Sequence, residues 1–168
     1  MFEINSFVIY GGNGVCKIIG KRKDSLCGTD KEYYVLVPLG SKSSVIFVPV
    51  DNPSLLDRMQ ELLDRDEILG LISSLKFNEV EWEKDSRKRA ELFGDILSRG
   101  DRKEILTLIR NIYLKKKKLS SEGKRLSVSD ESVLKRAEKL INDEFGVALG
   151  IRSDEVPAFI RRTIDEAI

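Results

Sequence analysis

The stretch Phe7–Ile18, FVIYGGNGVCKI, holds three glycines between two runs of β-branched and apolar residues. A loop that binds nucleotide phosphates needs glycines spaced G-x-G-x-x-G, or a Gly-Lys-Ser/Thr ending, between a strand and a helix. Gly12 and Gly14 supply one G-x-G, but Lys17 stands where the third glycine belongs, and strand-forming residues continue after Gly14. The loop is therefore predicted to join one strand to the next and not to bind a phosphate.

Short runs of strand-forming residues follow one another along residues 1–50, separated by Gly, Ser, Asp and Lys. The runs are FVIY, VCKIIG, EYYVLVPL and SSVIFVPV. Parallel pairing needs a dozen or more residues between strands, and these runs are closer together, so the sheet is predicted to be antiparallel. Roughly four or five such strands would form a small barrel.

The spacing of apolar residues becomes helical from Asp51 onward, beginning with DNPSLLDRMQELL, in which Asp51 or Asn52 can cap and Pro53 can occupy the first turn. The domain boundary is therefore predicted after Asn52, with a β domain over residues 1–52 and a helical bundle over residues 53–168. The predicted fold class is α+β. Further helices are predicted at Glu67–Ser74, Val80–Leu97, Asp101–Leu119, Asp130–Leu149 and Asp154–Ala167.

Capping residues mark the ends of these helices. Gly100 is predicted to end one helix and Asp101 to start the next, where the helix dipole favours its negative charge. For the predicted helix Asp130–Leu149, Ser127 supplies a cap-like residue before the first turn and Gly150 is predicted to end the helix.

The composition excludes several kinds of chemistry. The chain of 168 residues has no histidine, so imidazole bases, His-containing triads and His metal sites are ruled out. The two cysteines, Cys16 and Cys27, are too few for a zinc site made of Cys alone and are predicted to be reduced, buried or half-buried thiols. No carboxylate pair gathers around a loop or a candidate pocket. We therefore expect no enzymatic activity, no metal and no cofactor.

The chain is also long enough for one domain or two small ones. No apolar run approaches the ~20 residues of a membrane span. The N-terminus opens with Glu3 and Asn5 rather than with a basic segment that leads into a hydrophobic one. A cytoplasmic protein without membrane contact is expected.

The net charge of +1 hides an uneven distribution of charge. Residues 1–75 carry 8 basic and 10 acidic side chains, whereas residues 76–168 carry 21 basic and 18 acidic ones. Seven basic residues lie between Arg110 and Arg125, among them Lys115, Lys116, Lys117 and Lys118, against the single acid Glu122. This segment is either a solvated helix end, whose cations meet the C-terminal dipole, or a surface that binds an anionic partner.

Trp82 is the only tryptophan, and it lies in the polar segment NEVEWEKDSRKRAEL. Two interpretations stay open from its position. Trp82 can cap the helical core, because large aromatic residues are mostly buried. Alternatively, it can act as a wedge in the minor groove of DNA while Arg87, Lys88 and Arg89 neutralise phosphates.

Six segments follow one another along the chain in a specific order: VIYGGNGVCKIIG, GTDKEYYVL, VIFVPVDN, the tryptophan with its basic neighbours, LSRGDRKEILTLIRNIYLKKKKL and LSVSDESVLKRAEKLINDEFGVALGI. In this order, and above all through SRGD at the start of one helix and S-x-x-D/E followed by L-x-x-A-x-x-L at the start of the next, they resemble the CarD/CdnL family of bacterial transcription regulators. The resemblance covers nearly the whole chain.

The resemblance implies a Tudor-like N-terminal barrel that docks on the β subunit of RNA polymerase. It also implies a C-terminal helical domain that contacts promoter DNA at the upstream edge of the transcription bubble and stabilises the open complex without chemistry. Trp82 would enter the minor groove there. Basic residues would contact the phosphates, and those that match are Arg87, Lys88, Arg89, Lys115, Lys116, Lys117 and Lys118. The protein is expected to act as a monomer in this complex.

The chain departs from the family pattern on the barrel. In characterised members two arginines meet the polymerase, but alignment through DKEYYVL and VIFVPV places Asp24 and Phe47 at those positions. Lys21, Arg22 and Lys23 are expected to supply the basic contacts instead. The turn after Tyr10 also differs, because it continues with Gly11, Gly12 and Asn13 where the family usually has Pro and His before glycine.

Two other functions remain open at this point. The chain could be a protein-interaction adaptor for a repair or stress factor, with Trp82 in its core and no dependence on DNA. It could also bind nucleic acid without specificity, in which case binding to free duplex would depend on salt and hardly on Trp82.

Overall fold

The protein is described here from a computed structural model, which describes residues 1–24, 30–76 and 81–166. The chain divides into two compact units, Met1–Leu62 and Leu63–Ile168. Each unit has its own hydrophobic core. A sheet in the first unit and a set of helices in the second confirm the α+β class. Cys27, Val80 and Ala167, which belong to the sequence predictions above, lie outside the described residues.

The first unit, which we call the sheet unit, contains a five-stranded antiparallel sheet in the order β4-β3-β2-β1-β5. Its strands are β1 (Phe7–Tyr10), β2 (Val15–Asp24), β3 (Lys31–Pro38), β4 (Ile46–Pro49) and β5 (Met59–Glu61). Side chains alternate between the two faces of a strand, and one face is buried. The buried cluster comprises Val8, Tyr10, Cys16, Ile18, Tyr34, Leu36, Val48 and Met59.

The glycine-rich segment forms the turn between β1 and β2, which confirms that it joins two strands. Gly11 and Gly14 adopt φ angles of +49° and +70°, which side-chain-bearing residues rarely reach. The Tyr10 N–H donates to the Gly14 carbonyl at 3.0 Å and closes the turn. The turn thereby sets the register in which Val8 faces Cys16.

Residues 53–62 belong to the sheet unit, so the division of the chain falls after Leu62 rather than after Asn52. Pro53–Leu56 forms a single helical turn, α1, and the Asn52 side chain accepts the Leu55 N–H as a cap. The expected helix does not continue, because β5 pairs with β1 and the Met59 side chain is buried in the sheet core. The apolar spacing of this segment resembles that of a helix, but pairing with β1 decides its conformation.

The second unit, which we call the helical unit, contains the helices α2 (Arg65–Ser73), α3 (Ser86–Arg99), α4 (Arg102–Ser121), α5 (Val128–Leu149) and α6 (Val156–Glu166). Capping follows the sequence predictions. Gly100 and Gly150 adopt left-handed conformations at the ends of α3 and α5. The side chains of Asp101 and Ser127 accept backbone N–H groups in the first turns of α4 and α5.

The third helix differs from its prediction. The sequence predicts a helix over Val80–Leu97, whereas α3 begins at Ser86, and residues 81–85 form no regular structure. The physical reason is Asp85, whose carboxylate accepts the N–H groups of Arg87 and Lys88, both at 3.0 Å, and starts the helix. Trp82 therefore lies in a loop before the helix.

The core of the helical unit is formed by buried apolar residues from all five of its helices. On α3 the buried residues are Arg89, Phe93 and Leu97, which follow the i, i+4, i+8 spacing of one helix face, and the last two are apolar. Among the described residues, no helix is both long enough and apolar enough to cross a membrane.

Candidate functional site

Trp82 lies half-buried in the loop 81–85 and packs on the core of the helical unit. Its ring meets that of Phe93 edge to face, with the ring centres 5.7 Å apart and the planes at 68°. Such aromatic pairs contribute roughly 0.5–1.5 kcal/mol beyond the area they bury. The indole is therefore fixed by the core on one part of its surface while another part reaches solvent.

Two cations lie beside the indole of Trp82. The guanidinium carbon of Arg89 is 5.1 Å from the ring centre, and the Lys115 Nζ is 5.6 Å from it. Both distances fall within the range of cation–π attraction. Lys115 is the first residue of the lysine run of α4, so the structure brings the start of that run to Trp82, which lies far from it in sequence.

Arg89 is the predicted phosphate contact that the structure places elsewhere. It is only 8% exposed. Its Nε and Nη2 donate to the two carboxylate oxygens of Asp130, each at 2.9 Å, and its Nη1 donates to the Glu83 carbonyl at 2.9 Å. Since these bonds occupy its guanidinium inside the unit, Arg89 supports the loop of Trp82 and is not positioned to meet a phosphate.

A sequence signal for this burial existed. Arg89, Phe93 and Leu97 are spaced i, i+4 and i+8, so Arg89 lies on the apolar face of α3. A charged residue at such a position needs a partner. That partner, Asp130, is 41 positions away, and the sequence alone does not identify it.

Arg87 and Lys88 are exposed on the first turn of α3, directly after the loop of Trp82. Cations are disfavoured at this end of a helix, where the dipole is positive. The carboxylate of the N-cap residue Asp85 offsets them, because it accepts the N–H groups of both residues at this helix end. A phosphate at this position would therefore be attracted by the two side chains and not by the helix end.

The lysine run divides into different environments. Lys115 lies beside Trp82, and the Lys116 Nζ pairs with the Glu131 carboxylate of α5 at 2.6 Å. Lys117 and Lys118 are exposed, and Lys118 belongs to the last turn of α4, where the dipole favours a cation. Successive side chains of a helix point about 100° apart, so the run does not form one flat basic face.

Trp82 also lines an open groove of about 460 Å³ beside α3 and α4. Its apolar lining comes from both helices and includes Leu92, Phe93 and Ile96 of α3 and Leu108 of α4. Leu92 is half-exposed. The sequence does not predict this groove, because the groove depends on how α3 and α4 pack.

The five residues predicted to contact polymerase lie on strands of the sheet unit but not on one face. Arg22, opposite Tyr33 in the register, has its guanidinium 6.0 Å from the Phe47 ring centre. Tyr33 and Phe47 meet edge to face at 6.4 Å. We call Arg22, Tyr33 and Phe47 the Phe47 cluster. Phe47 is 46% exposed, so this cluster presents an aromatic surface to solvent.

Lys21, Lys23 and Asp24 occupy other positions on β2. The Lys21 Nζ lies 5.1 Å from the ring centre of Tyr34, which belongs to the buried face of the sheet. Lys23 alternates with Arg22 and shares the face of Lys21, whereas Asp24 shares the face of Arg22. The structure therefore groups Phe47 with Arg22 and separates them from the two lysines.

No metal site emerges from the parts of the chain that the structure describes, where no three His, Cys, Asp or Glu side chains converge. Cys16 is a buried free thiol, as predicted, and its Sγ–H donates to the Gly14 carbonyl at 3.6 Å.

Comparison with known families matches both units. Residues 2–61 match the CarD-like/TRCF RID domain, and residues 70–161 match the CarD C-terminal domain. The comparison with curated proteins finds no match. These two domains define a transcription-related protein that interacts with RNA polymerase. The chain belongs to the CarD family, a family of non-catalytic transcription factors that interact with RNA polymerase and DNA in general.

Proposed function

We propose that this protein stabilises the promoter open complex. In this proposal the sheet unit binds the β subunit of RNA polymerase, and the exposed part of Trp82 enters the minor groove at the upstream edge of the bubble. Arg87, Lys88 and the lysine run Lys115–Lys118 meet the phosphates around it. The action is non-catalytic and needs neither a metal nor a cofactor.

The observation that carries the proposal is the placement of Lys115 beside the half-buried indole of Trp82. An apolar wedge with adjacent cations is the combination that minor-groove proteins use to unstack a base step and neutralise the backbone. Arg87 and Lys88 add two exposed cations at the start of α3, immediately after the loop. In this proposal the wedge on residues 81–85 acts together with cations from α3 and α4.

The Phe47 cluster is the proposed contact with polymerase. Arginine and aromatic residues dominate the binding energy of protein interfaces, and an exposed Phe that packs against a Tyr and an Arg is already ordered before binding. Lys21 and Lys23 supply positive charge from the other face of β2. This arrangement replaces the two arginines that the resemblance would place at Asp24 and Phe47.

A wedge that binds only distorted DNA shifts the opening equilibrium by its difference in affinity for the two DNA states. The contact with polymerase makes this second binding event effectively intramolecular. Weak binding to free duplex is therefore compatible with a strong effect on the open complex. The sign of regulation depends on the promoter, because the same contact that stabilises a slow-opening promoter delays escape from a stable one.

The test is the lifetime of the open complex on a slow-opening promoter with the cognate polymerase. It compares no protein, wild type, Trp82→Ala and Tyr113→Ala, which removes another half-exposed aromatic residue of the same unit. Stacking of an aromatic side chain on a base contributes roughly 1–3 kcal/mol, so Trp82→Ala should shorten the lifetime by about 5- to 150-fold. Tyr113→Ala should retain most of the wild-type effect.

An adaptor that does not contact DNA is the second candidate, and the edge-to-face contact of Trp82 with Phe93 favours it. In that case the protein binds polymerase or another factor, and Trp82 acts as a core residue. A wild-type protein that binds polymerase and leaves the open-complex lifetime unchanged would select the adaptor.

A further inference from the structure

We propose that the buried ion pair between Arg89 and Asp130 is a positioning device for Trp82, which holds the indole in the orientation that DNA meets. The inference rests on the proposed role of Trp82 and adds two positioning residues to it. Neither residue contacts DNA in this proposal.

Arg89 connects three structural elements through a single guanidinium. Two of its nitrogens hold the carboxylate of Asp130 on α5, and the third holds the carbonyl of Glu83 in the loop. Glu83 is the residue directly after Trp82. The guanidinium carbon also lies 5.1 Å from the indole centre. Arg89 therefore restrains the tryptophan twice, through its neighbouring peptide and through its ring.

The other end of the device is also fixed. Asp130 is buried in the first turn of α5, where the helix dipole favours its negative charge. The Ser127 Oγ–H donates to the Asp130 carboxylate at 2.7 Å, and the Asp130 N–H donates to the same Ser127 oxygen at 3.1 Å. Trp82 is thus anchored through Arg89 and Asp130 to α5, a helix of 22 residues, and does not depend on its own irregular loop for its position.

A role in positioning explains why a charged pair occupies this place. Buried ion pairs are weak contributors to stability, and apolar residues of similar volume often replace them without loss. A loop without regular structure would otherwise have to be ordered when DNA binds, and that ordering lowers affinity. The ion pair orders the loop beforehand. The ion pair holds the indole of Trp82 in place and does not itself contact DNA. Its removal should therefore shorten the open-complex lifetime even when the helical unit stays folded.

The helical unit contains a matched control. Arg102 and Glu144 form a second bidentate pair, in which Glu144 is buried and the Arg102 side chain is 17% exposed, with Nη2 of Arg102 at 2.9 Å from Oε1 of Glu144, and Glu144 also accepts the Leu63 N–H. This pair joins α4 to α5 and to the start of the unit. Arg102→Met therefore removes an equivalent guanidinium and leaves an equivalent buried carboxylate at another place.

The experiment compares wild type, Arg89→Met, the double variant Arg89→Met/Asp130→Leu and Arg102→Met, at a temperature where unfolding measurements show all four to be folded. Because Trp82 is the only tryptophan, its fluorescence and its quenching by acrylamide report on this loop alone. The second readout is the lifetime of the open complex with polymerase. The double variant removes both charges, so its stability should return towards that of wild type.

We expect Arg89→Met and the double variant to increase acrylamide quenching of Trp82 about twofold and to shorten the open-complex lifetime at least fivefold. Arg102→Met should change neither readout by more than a small fraction. A double variant with wild-type quenching and wild-type lifetime would overturn the inference and make the pair purely structural. If the proposed function is wrong, Trp82→Ala leaves the open-complex lifetime unchanged. Acrylamide quenching of Trp82 in the Arg89 variants then still shows whether the ion pair orders the loop.

Discussion

The two units present the aromatic residues of their candidate interfaces in opposite ways. Phe47 of the sheet unit is exposed and contacts Tyr33 and Arg22, outside the buried cluster of the sheet. Trp82 of the helical unit rests on Phe93, a core residue, and is tied to a buried ion pair. The sheet unit can therefore change its contact surface without disturbing its core. In the helical unit, the candidate interface and the core share residues, so a change in one is felt in the other.

The largest effect that would test this comparison is on stability. Phe93→Ala removes a side chain that is 7% exposed and supports Trp82, so the free energy of unfolding should fall by about 3–5 kcal/mol. Phe47→Ala should lower it by less than about 1.5 kcal/mol, because Phe47 lies at the surface. Chemical denaturation monitored by circular dichroism gives both values. Equal losses for the two variants would contradict the inferred difference between the two units.

The next effect is on binding to polymerase. Phe47→Ala should weaken the affinity for the cognate polymerase by about 30-fold or more, since aromatic anchors contribute about 2 kcal/mol when removed from an interface centre. Leu39→Ala serves as the control, because Leu39 is exposed and follows the opposite end of β3 from Tyr33. If Phe47→Ala binds like wild type, the Phe47 cluster is not the polymerase contact.

A smaller effect concerns the exposed lysines of α4. Each phosphate contact that is lost should reduce the slope of log affinity against log salt by about 0.7–0.9. The double variant Lys117→Ala/Lys118→Ala should therefore flatten the salt dependence of the promoter complex, whereas Lys42→Ala on the sheet unit should not. An unchanged slope would assign the two lysines to a solvated helix end, with only the dipole contribution of about 0.3–1 kcal/mol.

The smallest effect is the ionisation of Tyr113, a half-exposed aromatic residue that is nevertheless tied to α5. Its hydroxyl donates to the Glu138 carboxylate at 2.6 Å. This hydrogen bond, followed by partial burial and the charges of Glu138 and Glu131, raises the pKa of Tyr113 to about 12. The folded state therefore favours the protonated phenol, and its contribution to stability is complete below about pH 10 and is lost as the pH rises towards 12.

Absorbance titration of wild type against Glu138→Gln measures this pKa. The variant should titrate closer to the ordinary value for tyrosine, since the carboxylate that holds the proton is gone. A Tyr113 pKa that does not move would mean that burial, not the hydrogen bond, is the main cause of the shift.

The sequence predicted the features that depend on neighbouring residues. The strand-to-strand turn at Gly11–Asn13 and the caps at Asp101 and Gly150 follow from local backbone chemistry, and the structure confirms them. The family resemblance was confirmed as well, because the order of its motifs spans both units.

What the sequence did not predict depends on residues far apart in the chain. The apolar spacing around Met59 resembled a helix, and only pairing with β1 makes it a strand. The basic residues around Trp82 looked equivalent, yet Asp130 draws Arg89 inside while Arg87 and Lys88 stay exposed. The start of α3 is an intermediate case, since Asp85 before Ser86 is a local N-cap signal that was present in the sequence.

The buried cysteine of the sheet unit has a consequence for redox behaviour. Burial raises the pKa of the Cys16 thiol to about 11, so the thiol stays protonated at neutral pH. Oxidants and disulfide reagents attack thiolates, and Cys16 has no exposed surface to offer them. The core of the sheet unit is therefore insensitive to oxidation at Cys16, even under oxidants that modify accessible thiols.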